Sequence, residues 1–169
     1  MIRPSLALAA LSLAACANAA PRPVGAEARR EDEAAVLAVV ERFLSVIETR
    51  DAAVWEDLLL PGSGATIQIE QPDGAWRFLS ITRADTIDFM KRQPPGDESE
   101  PIWAPTVLVR GPTAVAWTPY EFLREGERSH CGVDVFILQK VEGVWKIASS
   151  AWTQEKTRCA DLDAARPAE

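Results

Sequence analysis

The 169-residue sequence has one histidine, one tyrosine and two methionines, and its three cysteines are widely spaced. A single imidazole and scattered thiols exclude zinc sites of the usual His-rich or multi-thiolate kind. Nowhere do basic residues cluster: Arg29-Arg30 and Lys91-Arg92 are isolated pairs among acids, and the net charge is −7. Such a chain repels phosphate backbones, which excludes ordinary nucleic-acid binding. No glycine-rich phosphate loop is present, since Pro61-Gly62-Ser63-Gly64 reads only as a turn. Ser63 lacks the surroundings of a nucleophile elbow. The apolar run after the N-terminus covers about ten residues, too short for a stable membrane span.

That run is better read as an address. Met1–Ser5 is short and basic, Leu6 begins the apolar stretch, and Leu13-Ala14-Ala15-Cys16 resembles the bacterial lipobox. Residues 1–15 are therefore expected to be a lipoprotein signal peptide, with Cys16 the lipidated residue. Ala17 follows Cys16, where an aspartate would resemble an inner-membrane retention signal. The expectation is thus a periplasm-facing domain held on the outer membrane, the alternative being a soluble periplasmic protein. Residues 16–30 are rich in Ala, Pro and Arg and are expected to be a flexible tether.

The rest is long enough for one domain with a core. From Glu31 to Thr49, Val36, Leu37, Val40, Phe43, Leu44 and Ile47 recur at helical spacing. Asp51 is a good N-cap for a second helix carrying Val54, Trp55, Leu58 and Leu59. Residues 65–70 and 75–80 flank a hairpin turn at 71–74. Thr82-Arg83-Ala84-Asp85 is a variant capping box for a third helix. Gln93–Pro101 is Pro- and acid-rich, hence expected as an exposed loop. Strands then follow at 102–110, 113–124, 129–141 and 144–153, divided by Gly111-Pro112, Glu125-Gly126 and Glu142-Gly143. Segregated helices and antiparallel strands predict an α+β fold, a curved antiparallel sheet with three helices on one face.

The run Trp117-Thr118-Pro119-Tyr120-Glu121-Phe122, then Ser129 to Phe136, then Gly143-Val144-Trp145-Lys146-Ile147 resembles the C-terminal half of nuclear transport factor 2-like (SnoaL-like) domains, nearest the lumazine-binding branch. The resemblance covers roughly residues 31–155 in element order, so the domain is expected over 31–157 with 158–169 as a tail. It implies a cone-shaped roll of cystatin-like type with a pocket between sheet and helices. The superfamily includes isomerases, dehydratases, hydrolases, binding proteins and adaptor domains, so the fold does not fix the function. The Asp–Arg–Asp set of its epoxide hydrolases and the Tyr and Asp pair of its isomerases have no matching positions here. No cofactor is implied.

Strand alternation sets out the candidate pocket wall. If both Glu-Gly pairs are two-residue turns, Glu121 lies opposite His130 and Trp117 opposite Asp134. The expected ligand-binding set is Trp117, Glu121, His130, Asp134, Phe136 and Trp145, an apolar lining with polar handles. Candidate catalytic residues are His130, Glu121 and Asp134. His130 and Asp134 lie roughly 13 Å apart along the strand, so they are not a dyad. A His130–Glu121 pair is possible as an acid–base unit and equally as a surface ion pair. Asp134 reads either as a pocket acid or as a structural hydrogen-bonding group. The opposite face, with Tyr120, Phe122, Val133, Val135 and Ile137, is the candidate homodimer or partner surface. In an oxidising compartment Cys131 and Cys159 are expected to pair. Three functions stay open: a module binding a small apolar or aromatic ligand, an interaction module, and a small cofactor-free enzyme.

Overall fold

Helix formation starts earlier than the Ala, Pro and Arg content suggested. The computed structural model describes residues 24–94 and 96–167. The signal peptide, Cys16 and the first part of the tether lie outside the described residues. Val24–Leu44 is helix α1, so residues 24–30 are not a flexible tether. No proline follows Pro23 there, and Ala26-Glu27-Ala28-Arg29-Arg30-Glu31 are strong helix formers. Arg29 pairs with Glu33 one turn on. A break at Ser45 separates α1 from α2 (Val46–Thr49).

Two caps fall where the sequence places them. The Asp51 side chain accepts from the Ala53 N–H at the start of α3 (Ala52–Leu58). Thr82 and Asp85 form a reciprocal capping box at the start of α4 (Arg83–Arg92). Between them run β1 (Gly64–Glu70) and β2 (Trp76–Thr82), an antiparallel hairpin.

The segment expected as an exposed loop contains β3 (Glu98–Ser99), paired with the end of β5 (Thr113–Arg124). Ile102 makes one further bridge to Tyr120. Regular pairing to β5 resumes only at β4 (Thr106–Arg110), after Pro105, which has no N–H to donate. β6 (Glu127–Val141) and β7 (Val144–Gln154) complete the sheet. The seven strands run in the order β2-β1-β7-β6-β5-β3, with β4 also on the β5 edge. The sheet is mixed rather than purely antiparallel, because β1 and β7 pair in parallel.

Both Glu-Gly pairs are two-residue turns with positive φ at each residue, so Arg124 pairs with Glu127 and Val141 with Val144. The expected register holds as far as Leu123–Arg128 and Leu138–Ile147 and fails beyond them. Ser129 is an extra residue between Arg128 and His130, and His130 therefore faces Phe122 while Asp134 faces Thr118. Ala148 is likewise extra, and Asp134 faces Trp152 rather than Ala151 on β7. Each bulge moves one strand by a residue and exchanges its faces.

The core lies between the helices and the inner face of β5, β6 and β7. Val36, Val40, Leu44 and Ile47 pack against Ala114, Ala116, Phe136, Leu138 and Ile147. Phe43 stacks on Trp55 and meets Phe136 edge-on. The expected tail contains α5 (Cys159–Asp163), on the outer face of β6. Cys159 forms a disulfide with Cys131, their Cα atoms 5.7 Å apart.

Candidate functional site

Helices and sheet do not close along their whole length. A cavity of about 660 Å³ remains between α1–α4, the β1–β2 hairpin and the first half of β6. Its apolar wall includes Phe43, Ile47, Trp55, Leu79, Ile81, Phe89, Met90, Phe122, Phe136 and Trp152. His130, Asp134 and Phe136 of the expected set line it. The other three do not. Trp117 is 49% exposed on the outer face, level with Val135. Glu121 shares that outer face with Cys131 and is paired with Arg128 and Arg166. Against the upward push of partial burial, these two guanidinium groups hold its carboxyl below the ordinary range. Trp145 is packed in the core with its N–H donated to Asp32, so it supports the wall without facing the cavity. The Ser129 bulge is the reason for the first two corrections. It also carries Tyr120 and Phe122 from the expected outer surface to the inner face.

Phe122 stacks on the His130 ring with centroids 4.9 Å apart. Burial, and then the positive charges of Arg124 and Lys156, lower the His130 pKa to about 4. At neutral pH the ring is uncharged. It can hydrogen-bond but it is a weak base, and no Glu121 partner stands beside it.

Tyr120 lies over Gly132. A Cβ at position 132 would come within 2.1 Å of the Thr153 carbonyl and 2.8 Å of the Tyr120 ring. Only glycine admits that approach, and it lets the Tyr120 hydroxyl donate to the Thr153 carbonyl at 2.6 Å. Its proton is thereby engaged, and burial together with nearby carboxyls raises its pKa.

Asp134 is 4% exposed and accepts from the Thr118 hydroxyl at 3.4 Å. Its other partner is Glu100, which hydrogen-bonds to it side chain to side chain. Burial raises both carboxyls above their ordinary range, and their mutual repulsion raises Glu100 further. The pair therefore retains a proton near neutrality and presents an acid O–H in an apolar wall. Glu100 was missing from the sequence-based set because its segment read as a solvated loop. Two signals pointed the other way. Glu98 and Glu100 alternate as side chains on one strand face do, and Pro101 biases Glu100 towards extended backbone.

Glu98, on the same side of β3, binds Arg50 and Arg124. Arg50 has a left-handed backbone with φ of 59° at the end of α2, which turns its guanidinium towards the site. Glu70 holds the far rim: it accepts from the backbone N–H groups of Lys156 and Thr157 and from the Thr157 hydroxyl. These bonds, the Thr157 hydroxyl first, lower its pKa to about 2. Among the described residues no three His, Cys, Asp or Glu side chains come together as a metal site. None of their helices is long and apolar enough to cross a membrane.

No family model and no curated protein matches the sequence. Solved structures do. An NTF2-like protein with a cystatin-like fold from Novosphingobium aromaticivorans superposes with a TM-score of 0.62 at 14% identity, over 85% of this chain and 95% of that one. The β subunit of a candidate aromatic-ring-hydroxylating dioxygenase from the same organism gives 0.63 at 12% identity, over 78% and 94%. A candidate dehydratase of the NTF2-like family from Streptomyces avermitilis gives 0.58 at 17%, over 76% and 99%. At such identities the likeness establishes the fold alone, and the chain has the NTF2-like, cystatin-like α+β fold.

Proposed function

We propose that this protein is a lipid-anchored, periplasm-facing module that binds a small, largely apolar or aromatic molecule in its cavity. The observation that carries this reading is the cavity itself: about 660 Å³, walled by aromatic and aliphatic side chains, with His130, Asp134 and Glu100 as a few polar handles. That size and lining are typical of small-molecule sites. The aromatic residues of the lining, Trp152 and Phe89 among them, suit a flat ring. Cys16 supplies the anchor in this reading, on the outer membrane.

Native mass spectrometry of the chain purified from a bacterial envelope tests the binding. The expected result is a retained mass on the order of 300 Da that is released on denaturation. Protein that is consistently ligand-free and does not bind naphthalene-sized probes would refute it. Cys16→Ser tests the anchor, with the variant expected to leave the membrane fraction.

A second reading has its own observation. Leu108, Trp117 and Ile137 are exposed together on the outer sheet face, beyond the part that α5 covers. This patch fits a second copy of the chain, which makes a homodimer through the outer face compatible with binding inside. An enzymatic reading has the buried Glu100–Asp134 pair as its acid–base group, in place of the His130–Glu121 unit that the fold separates.

A further inference from the structure

The protein is strongly acidic, with a net charge of −7, but its cavity is not. Five cationic side chains line it: Arg50, Arg83, Arg92, Arg124 and Lys156. Facing them are Asp85, Glu98 and the Glu100–Asp134 pair. Asp85 is engaged in the α4 capping box, and Glu98 is shared between Arg50 and Arg124. Because the carboxyl pair keeps a proton, the cations outnumber the anions of the lining by at least two.

Arg83 gives its guanidinium to the Leu59 and Glu56 carbonyls, which bind it without neutralising it. Arg92 and Lys156 are exposed at the rim. Ser63 is 5% exposed and lines the cavity, and its hydroxyl has no hydrogen-bond partner among the described residues. A buried hydroxyl left unpaired costs free energy until something bonds to it. A positive rim over an apolar chamber focuses field on any anion entering it.

We infer that the ligand is an amphipathic anion, an apolar or aromatic body with one acidic head group held at the cationic rim of the cavity. The inference rests on the binding reading above and narrows its ligand class. Sulfonate, carboxylate and phosphate heads share the chemistry required. The apolar body lies along Phe89, Leu79 and Trp152, apolar residues of the lining, where burial of hydrocarbon is rewarded.

Three probes of one shape separate the outcomes. They are 1-naphthalenesulfonate, the neutral 1-naphthalenesulfonamide and the cationic 1-naphthylmethylammonium, each titrated calorimetrically into the full chain at neutral pH. The sulfonate is expected to bind about tenfold more tightly than the sulfonamide, with a preference that shrinks as salt is added. Arg92→Gln with Lys156→Gln, both on the surface, narrows that ratio. The single histidine gives a second readout. With the sulfonate bound, the His130 pKa measured by NMR rises from its free value, because the anion offsets the charges of Arg124 and Lys156. With the sulfonamide it does not. Equal affinity for sulfonate and sulfonamide, or tightest binding of the ammonium, overturns the inference while leaving the binding reading in place. Failure of all three to bind overturns both.

Discussion

β6 has two halves that share one face and do different work. In the C-terminal half Leu138 is sealed between helices and sheet, and Phe136 closes the inner end of the cavity wall while packed among core side chains. His130 and Asp134, in the N-terminal half, border an open chamber. The first half stabilises through apolar area and close packing. The second has little apolar area of its own on its inner face. It is held by groups around it: Tyr120 over Gly132, the Glu100–Asp134 bond, and on the reverse side the disulfide to α5. A fold of this kind can keep a cavity because the structure lost there is replaced by a covalent tie and polar bonds.

The comparison is most directly broken at Phe136. Phe136→Ala removes a ring that meets Phe43 edge-on and lies 2% exposed. The expected loss is about 3–5 kcal/mol, the range for a large core aromatic cut to alanine. Urea unfolding measures it. A loss no greater than that of an exposed residue would mean the C-terminal half is not the packed half.

The disulfide comes next. Cys131 and Cys159 are 28 residues apart, and closing such a loop restricts the unfolded chain by about 2–4 kcal/mol. Cys131→Ser with Cys159→Ser is expected to lower stability by that amount. It should also loosen the N-terminal half of β6 first, seen as faster amide exchange at residues 130–134 than at 136–140. Uniform exchange along the strand would remove the distinction between the halves.

Titration sharpens the same contrast with a smaller effect, since the ionisable inner residues belong to the open half. The Glu100 and Asp134 carboxyls are raised in the fold, chiefly by burial. Their contribution is fully present below the ordinary carboxylate range of the unfolded chain. It is lost as pH rises through the raised folded values. His130 is lowered to about 4 from 6.5, so its contribution is present above the unfolded value and lost as pH falls towards about 4. Below about pH 6.5 the His130 effect opposes that of the carboxyl pair, and above it the pair acts alone, so urea midpoints should fall as pH rises from about 6.5 towards about 9. Asp134→Asn is expected to flatten that alkaline decline, and His130→Gln, by removing the opposing effect, to extend the decline down to about pH 5. An unchanged alkaline slope in Asp134→Asn would show that the pair does not titrate as its burial requires.

The packed half was legible in the sequence and the open half only partly so. Helical spacing located Val36, Val40, Phe43 and Ile47, and the two Glu-Gly turns located the hairpins, because periodicity and positive φ leave marks in residue type. The bulges at Ser129 and Ala148 leave none. Neither residue differs in chemistry from its neighbours, and each exchanges the faces of everything beyond it. Trp117 and Glu121 were thus placed inside and Phe122 and Tyr120 outside, the reverse of their positions. Trp152 was passed over for the same reason. Glu100 was obscured differently: a Pro- and acid-rich run normally signals solvent, and only its partner on a distant strand makes the carboxylate a buried group. Site residues set by long-range register are the hardest to read locally, whereas core residues set by local repetition are the easiest.

The smallest expected effect on stability lies on the reverse of the sheet, at Trp117. Its ring is on the outer face beside Val135, with Leu108 and Ile137 nearby and nearly half its surface in water. Removing an exposed aromatic changes folding free energy by no more than about 0.5 kcal/mol when nothing packs on it. Trp117→Ser is accordingly expected to unfold at nearly the wild-type urea concentration and to bind naphthalene probes as the wild type does, since the cavity is on the other side. What should change is self-association. If the outer patch holds a second copy, sedimentation equilibrium should show the variant shifted towards monomer, because a large buried aromatic usually carries much of an interface's affinity. If Trp117→Ser instead weakens probe binding while the oligomeric state is unchanged, the indole belongs functionally to the chamber, and the assignment of faces from the Ser129 bulge is wrong.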